Sequence, residues 1–129
     1  MNALKVLVVD DSATGRTYVS RAVELSGVAA AGIRVAGNGL EALSDIERGG
    51  VDAVFLDLNM PVMNGFELVD KLSASGMISK IVVVVTSSEG NQARIEALKS
   101  KGVKFFMRKP FSAEQLKTVI DEIMISRSG

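Results

Sequence analysis

Lys5-Val6-Leu7-Val8-Val9-Asp10-Asp11 is the stretch on which the fold of this chain turns. A short apolar run stops abruptly on two carboxylates. Three later runs behave the same way. Val54-Phe55-Leu56 ends at Asp57, Ile81-Val82-Val83-Val84-Val85 ends at Thr86-Ser87, and Phe105-Phe106-Met107-Arg108 ends at Lys109-Pro110. In a parallel α/β sheet the carboxyl ends of the strands lie along one edge, and ligands bind in the crevice there. Three carboxylates, a hydroxyl and an ammonium, far apart in sequence, are therefore predicted to meet in space.

Between these runs the pattern changes to helical spacing, and the alternation is that of a parallel sheet covered by helices on both faces. Ala13 to Ser26 reads as a helix burying Val19, Ala22 and Val23, followed by a short strand at Ile33-Arg34-Val35-Ala36. Leu40, Leu43 and Ile46 mark a second helix. After the Asp57 strand comes the loop Asn59-Met60-Pro61-Val62-Met63-Asn64-Gly65, then a helix burying Leu68, Val69 and Leu72. The run from Ile81 to Val85 is continuous and β-branched, as a strand covered on both faces should be. A more polar helix spans about Asn91 to Ser100, with Ile95 and Leu98 inward. Leu116, Val119, Ile120 and Ile123 follow i, i+3, i+4, i+7 spacing, and Ser112 with Gln115 forms a capping-box arrangement ahead of them. Glycines 27, 49, 76 and 102 fall just past the first four helices, where a left-handed cap is wanted. The count is five strands and five helices, with no repeat and no linker to a second domain.

Composition narrows the function classes. The 129 residues suffice for one domain with its own core, and 47% hydrophobic with 23% charged residues suits a globular protein. No apolar run approaches the roughly 20 residues that span a bilayer, and nothing marks the N-terminus for export. Localisation therefore reads as cytoplasmic, with no membrane partner. Fifteen basic residues balance fifteen acidic ones without a block of like charge, which argues against a dedicated nucleic-acid binder. Cysteine is absent, excluding disulfides and thiolate chemistry. Histidine is absent too, so in any His–Asp phosphotransfer this chain stands on the aspartate side.

Taken singly, each strand-end residue has an ordinary structural explanation. Asp-Asp-Ser turns a chain and caps a helix, as Thr86-Ser87-Ser88 also could, and Lys109-Pro110 could be a solvated turn. Together they make chemical sense. Clustered carboxylates repel unless some protonate or a cation sits between them. Magnesium suits such a pocket, because it prefers oxygen ligands and retains several waters. A carboxylate beside it is a competent nucleophile toward phosphorus.

In order and spacing these motifs resemble the receiver domain of two-component response regulators, the CheY-like family, over nearly the whole chain. The resemblance implies an α/β flavodoxin-like (βα)5 fold with strand order 2-1-3-4-5, of which CheY is itself a standard instance. It implies one receiver domain over residues 1–129 without an output domain. It implies Asp57 as phosphoacceptor and Asp11 as a direct Mg2+ ligand. Asp10 would be a second metal acid acting largely through water, and Asn59 would give its backbone carbonyl to the metal. Thr86 and Lys109 would bind phosphoryl oxygens, and the bond before Pro110 would be cis. Thr86 and Phe106 would form the switch, the ring turning inward when the hydroxyl moves toward the phosphoryl group. The response would appear on the face of helix 4, strand 5 and helix 5.

The implied partners are a histidine kinase or phosphotransfer protein as donor and a protein target on that face. The chain would act as a monomer or a phosphorylation-dependent dimer. Calling it an enzyme would be a convention, since it would catalyse only its own phosphorylation and dephosphorylation. Phe106 replaces the tyrosine of chemotaxis-type members, and Ser87 and Ser88 also depart from them, while Asn59-Met60-Pro61 and Lys109-Pro110-Phe111 lean toward chemotaxis. Three rivals stand beside this reading. A dehalogenase-type phosphatase would want an aspartate at position 59, and a flavodoxin-like carrier would want a phosphate loop and aromatic walls. The third is a receiver-like interaction module that needs no phosphorylation.

Overall fold

Among the described residues, five parallel strands form one sheet in the order β2-β1-β3-β4-β5. The strands are β1 (Leu4–Val9), β2 (Ala30–Ala36), β3 (Ala53–Leu56), β4 (Val82–Ser87) and β5 (Phe105–Arg108). Five helices alternate with them: α1 (Ala13–Leu25), α2 (Gly39–Glu47), α3 (Gly65–Ser75), α4 (Gln92–Ser100) and α5 (Ala113–Ser128). The computed structural model describes residues 4–27, 30–88 and 90–128. Among those residues, no helix is long and apolar enough to cross a membrane.

Side chains alternate across a strand, so each central strand feeds two cores. Leu7, Val9, Val54, Leu56, Val83 and Val85 pack with Ile46, Leu68, Leu72 and Leu98 from α2, α3 and α4. Val6, Val8, Ala53, Phe55, Val82 and Val84 pack with Val19, Val23, Leu116, Ile120 and Ile123 from α1 and α5. Both faces are covered by helices, which explains why these strands read as unbroken apolar runs rather than alternating ones.

Each helix begins just past the carboxyl end of a strand, and each carries a side-chain cap there. Ser12, Asn38, Asn64 and Asn91 accept from backbone N–H groups of the first turns of α1 to α4. Ahead of α5, the Gln115 N–H donates to Ser112 Oγ at 3.1 Å and the Ser112 N–H donates to Gln115 Oε1 at 2.8 Å. The capping box read in the sequence is formed. All helix N-termini thus face the edge where the strand-end residues gather. Gly27, Gly49, Gly76 and Gly102 take positive φ at the opposite ends of the first four helices.

Four details differ from the pattern. β4 runs through Thr86 and Ser87 instead of stopping before them, because pairing with β5 continues through Thr86–Met107 and Ser87–Arg108. Leu40 is 53% exposed, while Ala42 is buried in its place. Gly39 abuts the Met63 carbonyl, so the stripe 39, 42, 46 faces inward and Leu40 is rotated off it. Ile95 and Val119 are only half-buried. The last helix continues to Ser128, five residues past the end of its apolar stripe at Ile123.

Candidate functional site

Backbone hydrogen bonds carry the sheet one rung beyond its strands, and the site residues stand on that rung. The Asp10 N–H donates to the Ala36 carbonyl of β2 at 3.1 Å. The Asp57 N–H donates to the Val9 carbonyl of β1 at 2.9 Å, and the Lys109 N–H to the Ser87 carbonyl of β4 at 2.9 Å. Leu56 pairs with Val85, so the next residues along, Asp57 and Thr86, are neighbours on the same edge. Residues 10, 57, 86 and 109 are therefore positioned by the backbone pairing of the sheet.

The side chains of Asp10, Asp11, Asp57 and Lys109 converge. One carboxylate oxygen from each of Asp10, Asp11 and Asp57 lies within 4.8 Å of the other two. Lys109 Nζ bridges two of them, at 3.2 Å from Asp10 Oδ2 and 3.3 Å from Asp57 Oδ1. Asp10, Asp57 and Thr86 are buried, whereas Asp11 is exposed at the rim. Burial pushes the Asp57 carboxyl above its ordinary value, and the Asp10 charge adds to this while Lys109 opposes it. For Lys109 burial acts downward, but Asp57 and Asp10 outweigh it and hold the ammonium above its ordinary value. The pocket offers only oxygen donors, as a hard cation such as Mg2+ prefers, and the three carboxylates lie close enough to share one. The residues fit the ion.

A family profile described as "Response regulator receiver domain" matches residues 6–121. The chain belongs to that family. Similar proteins include the chemotaxis protein CheY1 of Helicobacter pylori, 31% identical over 122 residues, covering 94% of this chain and 97% of that one. The chemotaxis protein CheY homolog of Campylobacter jejuni is 31% identical over 127 residues, covering 98% of this chain and 96% of that one. Among solved structures, chemotaxis protein CheY4 of Vibrio cholerae superimposes with a TM-score of 0.82 at 29% identity. That match covers 95% of this chain and 99% of the other.

The remaining predicted positions of this receiver lie around the pocket and beside it. Asn59 is exposed in the loop two residues beyond Asp57, a loop tied back by the Gly65 N–H to the Leu58 carbonyl at 3.0 Å. The Lys109–Pro110 bond is cis. Phe106 is not in the pocket. It is half-buried on the α4 side of β5, with Lys99 Nζ 5.7 Å from its ring centroid. There it helps line a cavity of about 160 Å³ with Leu58, Val85, Ser87, Ile95 and Met107.

Several residues that shape the receiver site carry no sequence signal of their own. Arg16 donates to the Asp10 carbonyl at 2.8 Å and so braces the turn that holds both acids. The Ser12 N–H donates to Asp10 Oδ1 at 2.9 Å. Gly65 lets α3 press against the Asp57 backbone, since a Cβ there would lie 2.6 Å from the Asp57 carbonyl oxygen. Tyr18, whose hydroxyl donates to the Phe111 carbonyl, ties α1 to the loop that carries Lys109. Of these, only the Asp-Asp-Ser turn could have been suspected from spacing.

Proposed function

We propose that this receiver accepts a phosphoryl group on Asp57 from a phosphohistidine of a kinase or phosphotransfer protein. It then signals by changing its affinity for a protein target. One observation carries the reading: three clustered carboxylates with a single ammonium bridging the two buried ones. An Asp57 oxygen attacks phosphorus in line. The phosphorus–nitrogen bond breaks, the imidazole leaves with the electron pair, and an acyl phosphate forms. Water later attacks the same phosphorus, returning the carboxylate and inorganic phosphate.

Lys109 neutralises one phosphoryl oxygen from a position set before the reaction begins, and the Thr86 hydroxyl binds another once it has moved in. Asp10, Asp11, Asp57 and the Asn59 carbonyl would hold Mg2+, which supplies positive charge at the phosphoryl oxygens when bound. Movement of Thr86 toward the phosphoryl group frees space for Phe106, and the cavity beside the ring is consistent with such a rearrangement. The output is then a population shift on the α4–β5–α5 face. Relatives named as chemotaxis proteins support a chemotaxis-type pathway, acting in the cytoplasm. Beyond turning over its own phosphoryl group, the chain has no enzymatic role in this reading.

The test is intact mass after incubation with acetyl phosphate, with and without Mg2+, on wild type and Asp57→Ala. A gain of one phosphoryl group that requires both Asp57 and the metal is expected. No gain in a wild type that still binds Mg2+ would leave an interaction module independent of phosphorylation.

A further inference from the structure

Helix α1 carries a glycine where a helix gains nothing from one. Gly15 is the third helical residue, and its φ is not positive, so no turn or cap requires it. Glycine in a helix is destabilising relative to alanine. Its surroundings supply a reason. A Cβ at this position would lie 2.3 Å from Asp10 Oδ2 and 2.8 Å from Asp10 Cγ. The Asp10 carboxylate occupies the volume that any side chain at residue 15 would need.

Neither partner can easily retreat. Asp10 Oδ1 accepts from the Ser12 N–H at 2.9 Å, and Oδ2 accepts from Lys109 at 3.2 Å. The Asp10 backbone is pinned on both sides, by its N–H to Ala36 at 3.1 Å and by Arg16 to its carbonyl at 2.8 Å. A methyl group at residue 15 would therefore be accommodated by rotating the carboxylate, and rotation breaks its bonds to Ser12 and Lys109. We propose that Gly15 is a positioning residue for the metal-binding acids, its bare Cα being the seat that holds the Asp10 carboxylate against Lys109. The proposal rests on the reading of Asp10 as a metal acid.

The test is a double-mutant cycle on Mg2+ affinity, measured by calorimetric titration and by the metal-induced rise in Tm. Wild type, Gly15→Ala, Asp10→Ala and the double variant are compared. Gly15→Ala is expected to bind Mg2+ roughly 10- to 100-fold more weakly, as for loss of a group that orients a metal ligand. In the Asp10→Ala background the same change is expected to have no further effect. Unchanged affinity in Gly15→Ala, or an equal loss in both backgrounds, overturns the proposal. If Gly15→Ala fails to fold, recovery of folding in the double variant supports the collision with Asp10, and failure of both overturns it. A wild type that does not bind Mg2+ overturns the metal reading itself, a result distinguishable from failure of the Gly15 step.

Discussion

The acidic pocket and the α4–β5 face are built to different standards of rigidity. Asp10, Asp57 and Lys109 are each fixed by a backbone hydrogen bond to a neighbouring strand, and their side chains bond to one another. A few ångströms along the sheet, α4 is held by one fully buried side chain, Leu98, where α3 buries Leu68, Val69 and Leu72 besides Gly65. Phe106 is half-buried beside a cavity. Chemistry at phosphorus gains from groups positioned in advance, because no reorganisation is then needed as charge develops. A response needs an element whose two packings differ little in free energy, and such elements come from the least buried part of a fold. Under the proposed function, the difference between the regions is a division of labour.

Removing the charge at the centre of the rigid region should have the largest consequence. Lys109→Ala is expected to slow phosphorylation by acetyl phosphate roughly 10²- to 10³-fold, or about 3–4 kcal/mol, the usual effect of losing one positioned donor. Intact-mass time courses at fixed Mg2+ would measure it. A loss below tenfold would mean that the pocket is not preorganised around this ammonium, and the contrast with α4 would weaken.

Next come the helices themselves. Leu72→Ala and Leu98→Ala delete the same atoms from the same core. Core leucine truncations cost about 2–5 kcal/mol, depending on how well the site collapses. Leu72→Ala is expected near 4 kcal/mol as a global loss in urea unfolding. Leu98→Ala is expected nearer 2 kcal/mol, with much of it appearing as faster amide exchange confined to residues 92–100. Equal costs and uniform exchange would show that α4 is as firmly docked as α3.

How much of this was readable beforehand depends on the scale of the cause. Strand ends, helix faces and the Ser112–Gln115 box follow from local periodicity and capping, so Asp10, Asp57, Thr86 and Lys109 could be placed on one edge. Leu40 could not, because its outward rotation follows from Gly39 abutting Met63, a contact across 24 residues of chain. β4 outran its apolar stretch because β5 pairs with Thr86 and Ser87, and pairing is a property of the neighbour. The bond from Arg16 to the Asp10 carbonyl and the close approaches at Gly15 and Gly65 are tertiary facts. Glycine marks such places without saying what comes close.

A smaller effect concerns the stability carried by the pocket. The Asp57 carboxyl is held above its ordinary value of 3.8, chiefly by burial. A raised value means that its contribution to folding is fully present below pH 3.8 and is lost as pH rises through the folded value. At neutral pH the ionised group is therefore a net cost in the metal-free protein. Asp57→Asn is expected to stabilise the metal-free protein at pH 7 by about 1 kcal/mol, read as a higher Tm. The advantage should shrink as pH falls through the folded value and be smallest below 3.8, and Mg2+ should narrow it at pH 7 by stabilising the wild type more than the variant. A lower Tm for the variant at pH 7 would mean that the Lys109 pair outweighs burial.

The smallest effect tests the other region. Lys99 Nζ stands 5.7 Å from the Phe106 ring centroid, and exposed pairs of this kind contribute about 0.5–1 kcal/mol. Lys99 is on α4 and Phe106 on β5, so this contact ties the loosely held helix to the ring. Global stability should barely register Lys99→Ala. The ring's balance between positions should register it, because 0.5–1 kcal/mol changes a population ratio about two- to fivefold when the two packings lie close in free energy. Ring-proton shifts of Phe106 in wild type and Lys99→Ala, read against those of the phosphorylated wild type, would report the change. Displacement along the same line as phosphorylation would identify the ring as part of a two-position element that Lys99 biases. Unmoved shifts would make Phe106 a fixed member of the core, and the α4–β5 face would then be as static as the pocket beside it.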